Sequence, residues 1–406
     1  MTSPFPPEEQ LLLALTCPGR PDLTLGERVV TGGLDWTRVV ELALRHRLTP
    51  PLLALLESIG NPAPPLDLLQ ALREHDLVLR QQQADLLREL FALLDALTAR
   101  QIRAVPFKGP LLGELLFGEA ALRAPGDLDI LVGLADVDGT LEVLESRGFV
   151  DAARLAGAAA LTPTQHLMYR KVQCEYLYIR ERDGLVVEPH WALCQAPLAV
   201  DVDYAGMLAR AVPATLGGRT VSTLAPGDLL VALCIHGAKH RWMRLAWIRD
   251  IAALLRRWPS LDLPGLLEQA RSRGYQRVLL LGLAVAHDIT GSILPASIVR
   301  RFESEPHLAR LRLEVRAGLF GPVDEDSRND GIEPFRFWMR ERPIDRARYV
   351  LRTWLTPARP HLQAVDLPHS LRFGYYGVKI GIDFALMPVW RGLGRIIWAK
   401  IRPGAE

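Results

Sequence analysis

The sequence predicts an α+β protein in which a small mixed β-sheet core is embedded between N-terminal and C-terminal helical regions. Three observations carry that expectation. Leucine-rich stretches at helical spacing fill much of residues 8–100, and helical patterning returns after residue 223. Between them the texture changes to short apolar runs separated by glycine, proline and aspartate. The length, 406 residues, exceeds what one compact core usually supports. Four regions are therefore expected: 1–100, helical; 101–222, carrying the strands; 223–320, helical and completing a cleft; and 321–406, an arginine-rich tail.

Residues 8–58 place apolar side chains at helical intervals and run into the breaker cluster Asn61-Pro62-Ala63-Pro64-Pro65. The strongest periodicity follows over 78–100. There Leu86, Leu90, Leu93 and Leu97 share one helical face, Leu87 and Leu94 widen it, and Gln82, Asp85 and Arg88 point away. Next come a strand over 103–107, a short helix over 110–117 and a strand over 127–132. A helix over 134–147 should stop at Gly148, which tolerates the left-handed backbone of a helix C-terminus. Strands over 173–180 and 184–190 should pair as a hairpin across Asp183-Gly184. Beyond Gly217-Gly218 the pattern predicts helices over 227–257 and 275–290, then an acidic loop from Gly321 to Gly331.

Composition narrows the function classes. Hydrophobic residues make up 49% and charged ones 23%, which is globular and too apolar for a disordered chain. Lys and Arg number 48 against 46 Asp and Glu, so the net charge of +2 lacks the strong field of a dedicated polyanion binder. Cys17, Cys174, Cys194 and Cys234 form no CxxC pair, so neither a disulfide framework nor a cysteine zinc site is indicated, and a reducing, cytoplasmic location is expected. The start, MTSPFPPEEQ, does not read as a signal peptide. No transmembrane segment is expected either, because the most apolar stretch, 373–399, is interrupted by Lys379, Asp383, Arg391 and Arg395. There is no P-loop, GxSxG, HExxH or GxGxxG.

One constellation carries chemistry. In GDLDILV, Asp127 and Asp129 stand two apart on a strand, so both carboxylates point to one face while Leu128 and Ile130 take the other. Side-by-side acids attract a cation. The second strand adds Glu188, a third carboxylate, with His190 on the same face and Pro189 between them. Lys108-Gly109-Pro110 sits where a strand turns into a short helix, a place where exposed backbone N–H groups favour phosphate and glycine permits close approach. Arg123 is a second candidate for phosphate contact.

FKGPLLGELL, LRAPGDLDILV, VVEPHW and LCIHGAKHRWMRLAWIRDIAALL together resemble the uncharacterised nucleotidyltransferase family related to the DNA polymerase beta superfamily. The resemblance covers most of the chain. It implies a polymerase beta-like nucleotidyltransferase core with two Mg²⁺ ions held by Asp127, Asp129 and Glu188, which are then both catalytic and metal residues. It implies nucleotide binding by Lys108, Gly109 and Arg123, with an NTP as substrate and ATP binding among its expectations. Gly109-Pro110 stands where the superfamily has a glycine-serine step, and the interval from Gly109 to Asp127 is longer than in the standard motif. Charge counting agrees with metal: three carboxylates and a triphosphate repel each other by several kcal/mol in a partly dry cleft unless cations join them. The implied function is transfer of a nucleoside monophosphate from an NTP to a hydroxyl of an unidentified acceptor, a small molecule, peptide or protein. The alternative is a non-catalytic nucleotide-binding or scaffold protein that keeps the fold.

His236 and His240 lie four apart on one helix face, with Lys239, Arg241, Arg244 and Asp250 nearby. No third zinc ligand is evident, so these histidines, with His190, are expected to contact substrate. Residues 335–372 carry eight arginines, no lysine and three acids, with Trp338 and Trp354 interleaved. Nucleic acid could use that surface, but arginine stems packed over the core are the favoured reading. Tyr376, Ile380, Phe384 and Met387 form a helical stripe expected to dock on the protein's own body.

Overall fold

The computed structural model describes residues 5–17, 33–59, 65–124, 126–198, 200–321 and 332–386. Most of the acidic stretch between Gly321 and Gly331 and Met387 lie outside them. Among the described residues four helices come first: α1 (Pro7–Leu15), α2 (Trp36–His46), α3 (Thr49–Ser58) and α4 (Leu66–Ala99). Helix α4 buries the leucine face that its periodicity predicts, Leu86, Leu90, Leu93 and Leu97.

A five-stranded mixed sheet follows: β1 (Ala104–Pro106), β2 (Leu128–Val132), β3 (Val150–Asp151), β4 (Tyr178–Arg180) and β5 (Leu185–His190), in the spatial order β1-β2-β5-β4-β3. Strands β2 and β5 run parallel; the other pairings in this sheet are antiparallel. A parallel pair needs a long crossover, and here it contains α6 (Val137–Ser146) and α7 (Pro163–Val172). Between β1 and β2 lies α5 (Gly109–Phe117). Leu128, Ile130 and Val187 pack on one side of the sheet with the leucines of α4. Val105, Phe107 and Leu131 face the other way, into a larger core shared with the C-terminal helices. The expected α+β class holds.

Helix α6 ends as Gly148 predicts, with φ +83° and the Phe149 N–H returning to the Leu144 carbonyl. Three expectations need correction. The hairpin strand expected over 173–180 is recorded only as Tyr178–Arg180, with an isolated bridge between Glu175 and His190. The register is unbroken, but Pro189, opposite Tyr176, has no N–H to return, so the ladder lapses there. Gly217-Gly218 is not a mere boundary. It is the turn of a second hairpin, β6 (Val212–Leu216) with β7 (Arg219–Thr223), and both glycines take the positive φ such turns demand.

The helix expected over 227–257 is two, α8 (Pro226–Lys239) and α9 (Leu245–Arg257). The break forms because Trp242 is fully buried and the chain turns to insert it, with Arg241 and Trp242 both at positive φ. Gly237 and Gly282 leave room for the indole: a Cβ on either would meet it at 2.4 and 3.2 Å. Burial of this ring outweighs local helix preference. Helix α10 (Gln276–Thr290) matches its expectation and is buried along most of its length.

The tail arginines are fastened to the protein. Arg340 is buried. Arg336 pairs with Glu333, Arg342 and Arg348 with Asp345, and Arg359 with Asp151. Arg346, Arg352 and Arg372 donate to the carbonyls of Arg340, Ala196 and His369. The last described α-helix, α11 (Gly374–Ile380), buries Tyr375 and Lys379, while Ile380 and, in the π-helical turn that follows, Phe384 of the expected docking stripe are exposed. Among the described residues no helix is long and apolar enough to cross a membrane.

Candidate active site

Register assembles the site. In the parallel pair Asp129 lies beside Glu188, and Leu131 beside His190. Neighbours across a ladder share a face, so Asp129, Glu188 and His190 converge while Leu128 and Ile130 go to the opposite core. Asp127 precedes β2 and joins them by the same alternation. A cavity of about 300 Å³ opens over this face. Every side chain singled out in the sequence for catalysis, nucleotide or substrate lines it: Asp127, Asp129, Glu188, Lys108, Arg123, His190, His236 and His240.

Asp129 is the electrostatic centre. It is 2% exposed, accepts from Lys108 Nζ at 2.7 Å and lies 3.0 Å from His190 Nε2. Burial would raise its pKa, but the charges and hydrogen bonds of Lys108 and His190 hold it well below the usual carboxylate range. Asp127 goes the other way. Burial, followed by repulsion from Asp129 and Glu188, raises it to about 6. Burial opposes protonation of His190, yet hydrogen bonds to Asp129 and Glu188 and the charge of Glu175 raise its pKa to about 9. The cluster is built for positive charge.

Glu175 stands behind His190, with Oε2 at 3.1 Å from Nδ1, and its other oxygen accepts from Lys239 at 2.8 Å. Burial works against its charge, but His190 and Lys239 overcome it and its pKa falls to about 2. His236 and His240 are driven neutral by burial, with Lys108 and Lys239 reinforcing the effect in both and His240 adding to it in His236; His240 falls to about 3. Their rings lie 4.8 Å apart and each packs on Trp247, at 5.0 and 5.4 Å.

Gly109 opens α5 at φ +62°, and a Cβ there would meet the Asp127 carbonyl oxygen at 2.8 Å. The chain can bring Lys108 against the acids only because this residue is glycine. Arg123 reaches the cavity, but its guanidinium pairs with Asp250 at 3.0 Å and lies 3.5 Å from the Gly109 carbonyl. Asp250 therefore serves as the buried counter-charge of Arg123. Arg241, near these histidines in the sequence, does not line the cavity and pairs with Glu333 at 3.2 Å.

The donor set suits a divalent ion. Asp129, Glu188 and His190 each offer one ligand atom, all within 4.8 Å of one another. His190 Nδ1 is a buried polar atom with no aligned hydrogen bond. Glu175, Arg47 and Trp247 also line the cavity and were missed in the sequence. Glu175 had a signal: pairing outward from the Asp183-Gly184 turn sets it opposite His190. Arg47 had none, since it arrives from the end of α2 at a φ of 55°.

A family profile described as an uncharacterised nucleotidyltransferase matches residues 32–291. No curated protein matches the chain.

Proposed function

The chain belongs to this uncharacterised nucleotidyltransferase family, and we propose that it transfers a nucleoside monophosphate from an NTP to a hydroxyl of an acceptor, using Mg²⁺ held by Asp127, Asp129 and Glu188. The acceptor oxygen forms a bond to the α-phosphorus, the bond from that phosphorus to the α–β bridging oxygen breaks, and pyrophosphate leaves. Bound divalent ions supply Lewis acidity at the phosphates and acidify the attacking hydroxyl. Glu188, half-buried at the cavity wall, is the base that receives the hydroxyl proton. Lys108, Arg47 and Arg244 bring positive charge to the triphosphate, and Gly109 lets α5 begin close to it. Neutral His236 and His240, packed on Trp247, offer hydrogen bonds and a flat apolar wall to the base or the acceptor.

The observation that carries this reading is the convergence of β2 and β5 acids on one point, with His190 Nε2 at 3.0 Å from Asp129 and 3.4 Å from Glu188. A scaffold has no use for so much buried like charge: burial, and after it repulsion from Asp129 and Glu188, raises Asp127 to about 6. The test incubates the protein with NTPs labelled at the α-phosphate and a cell extract as acceptor pool. Label should enter an acceptor only with a divalent ion present, never from the γ-phosphate, and not with Asp129→Asn. Metal-independent labelling, or undiminished labelling by the variant, refutes the assignment.

A further inference from the structure

His190 is more than a neighbour of the acids. It is 3% exposed, and its ring is held edge-to-face against Phe107 at 5.3 Å. Its Nε2 points between the carboxylates of Asp129 and Glu188. Its Nδ1 faces Glu175, which Lys239 anchors. A carboxylate behind the far nitrogen is how metal-binding histidines are commonly oriented and made more basic. Carboxylates and water suit Mg²⁺ and Mn²⁺ alike, but a nitrogen ligand is taken more readily by a first-row transition ion than by the hard Mg²⁺.

We propose that the ion site takes His190 Nε2 as a nitrogen ligand beside Asp129 and Glu188, with Glu175 as its positioning residue, and so binds Mn²⁺ more tightly than Mg²⁺. The inference rests on reading the acid cluster as the metal-binding transfer site. It adds an imidazole to the three carboxylates that the family resemblance implies. Mg²⁺ still enters the site through the oxygens; the nitrogen decides which ion it holds longer.

The experiment titrates the metal-stripped full chain with Mn²⁺ and with Mg²⁺, and records the electron spin-echo modulation of bound Mn²⁺. Wild type should show ¹⁴N coupling from a directly bound imidazole and should bind Mn²⁺ more tightly than Mg²⁺. In His190→Gln the coupling should vanish, Mn²⁺ should bind more weakly, and the preference should shrink. Glu175→Gln should keep the nitrogen signal, alter its quadrupole coupling and weaken Mn²⁺ by about 10- to 100-fold. Saturable Mn²⁺ binding without ¹⁴N coupling in wild type, or coupling that survives in His190→Gln, overturns the proposal and leaves the transfer reading standing. Wild-type coupling and affinity in Glu175→Gln overturns the positioning role. Absence of any Asp129-dependent binding of either ion defeats the proposal and the transfer reading together.

Discussion

Stability of the metal-free protein should fall as pH rises through the titration of His190. The native state binds this proton with a pKa of about 9, against an ordinary value of 6.5. At about 1.4 kcal/mol for each tenfold change in proton affinity, the imidazolium is favoured in the fold by about 3 kcal/mol. Because the folded pKa is the higher one, that stabilisation is fully present below about pH 6.5 and disappears as pH climbs through about 9. Its sources are the contacts to Asp129 at 3.0 Å and Glu188 at 3.4 Å and the charge of Glu175 at 3.1 Å, set against the cost of burial. The assay is urea denaturation of metal-stripped wild type and His190→Gln across this range. The difference between the two proteins should narrow by about 3 kcal/mol from the acid to the alkaline end. A pH-independent difference would refute the reasoning, because it would mean that the imidazole carries no extra proton in the native state.

Three further outcomes follow from the same contacts. Asp250→Ala removes the carboxylate that pairs with the buried Arg123 guanidinium, and should cost about 3–5 kcal/mol in urea denaturation; an unchanged midpoint would mean that Arg123 turns toward the cavity acids instead. Gly109→Ala forces a left-handed backbone and a Cβ 2.8 Å from the Asp127 carbonyl. It should lower stability by at least about 1–2 kcal/mol and slow label transfer by about 100-fold through misplacement of Asp127. Trp242→Ala empties the space shaped by Gly237 and Gly282, and should cost about 3–5 kcal/mol in thermal or urea unfolding.

Local rules made the acid cluster legible. Alternation alone puts Asp127 with Asp129 and Glu188 with His190, and one parallel register then unites the two pairs. The leucine face of α4 and the stop at Gly148 were equally open to reading, since periodicity and a positive φ are short-range properties. What escaped depends on distant partners. Trp242 itself marks no helix end; the slot for its ring is shaped by Gly237 together with Gly282, forty residues later. Arg123 reads from the sequence as a phosphate contact, but its pairing with Asp250 could not be read, because that carboxylate comes from α9, far along the chain. The tail arginines are expected from the sequence to lie over the protein's own body, but which acids and carbonyls hold them is given only by the fold.

The central claim is that β2 and β5 hold a divalent ion which in turn holds the triphosphate. Calorimetric titration with a non-hydrolysable NTP analogue, in Mg²⁺ and again in EDTA, tests it most directly. Binding should require Mg²⁺ and should be lost when Asp129 is changed to Asn. Equal affinity in EDTA, or in Asp129→Asn, would contradict the account.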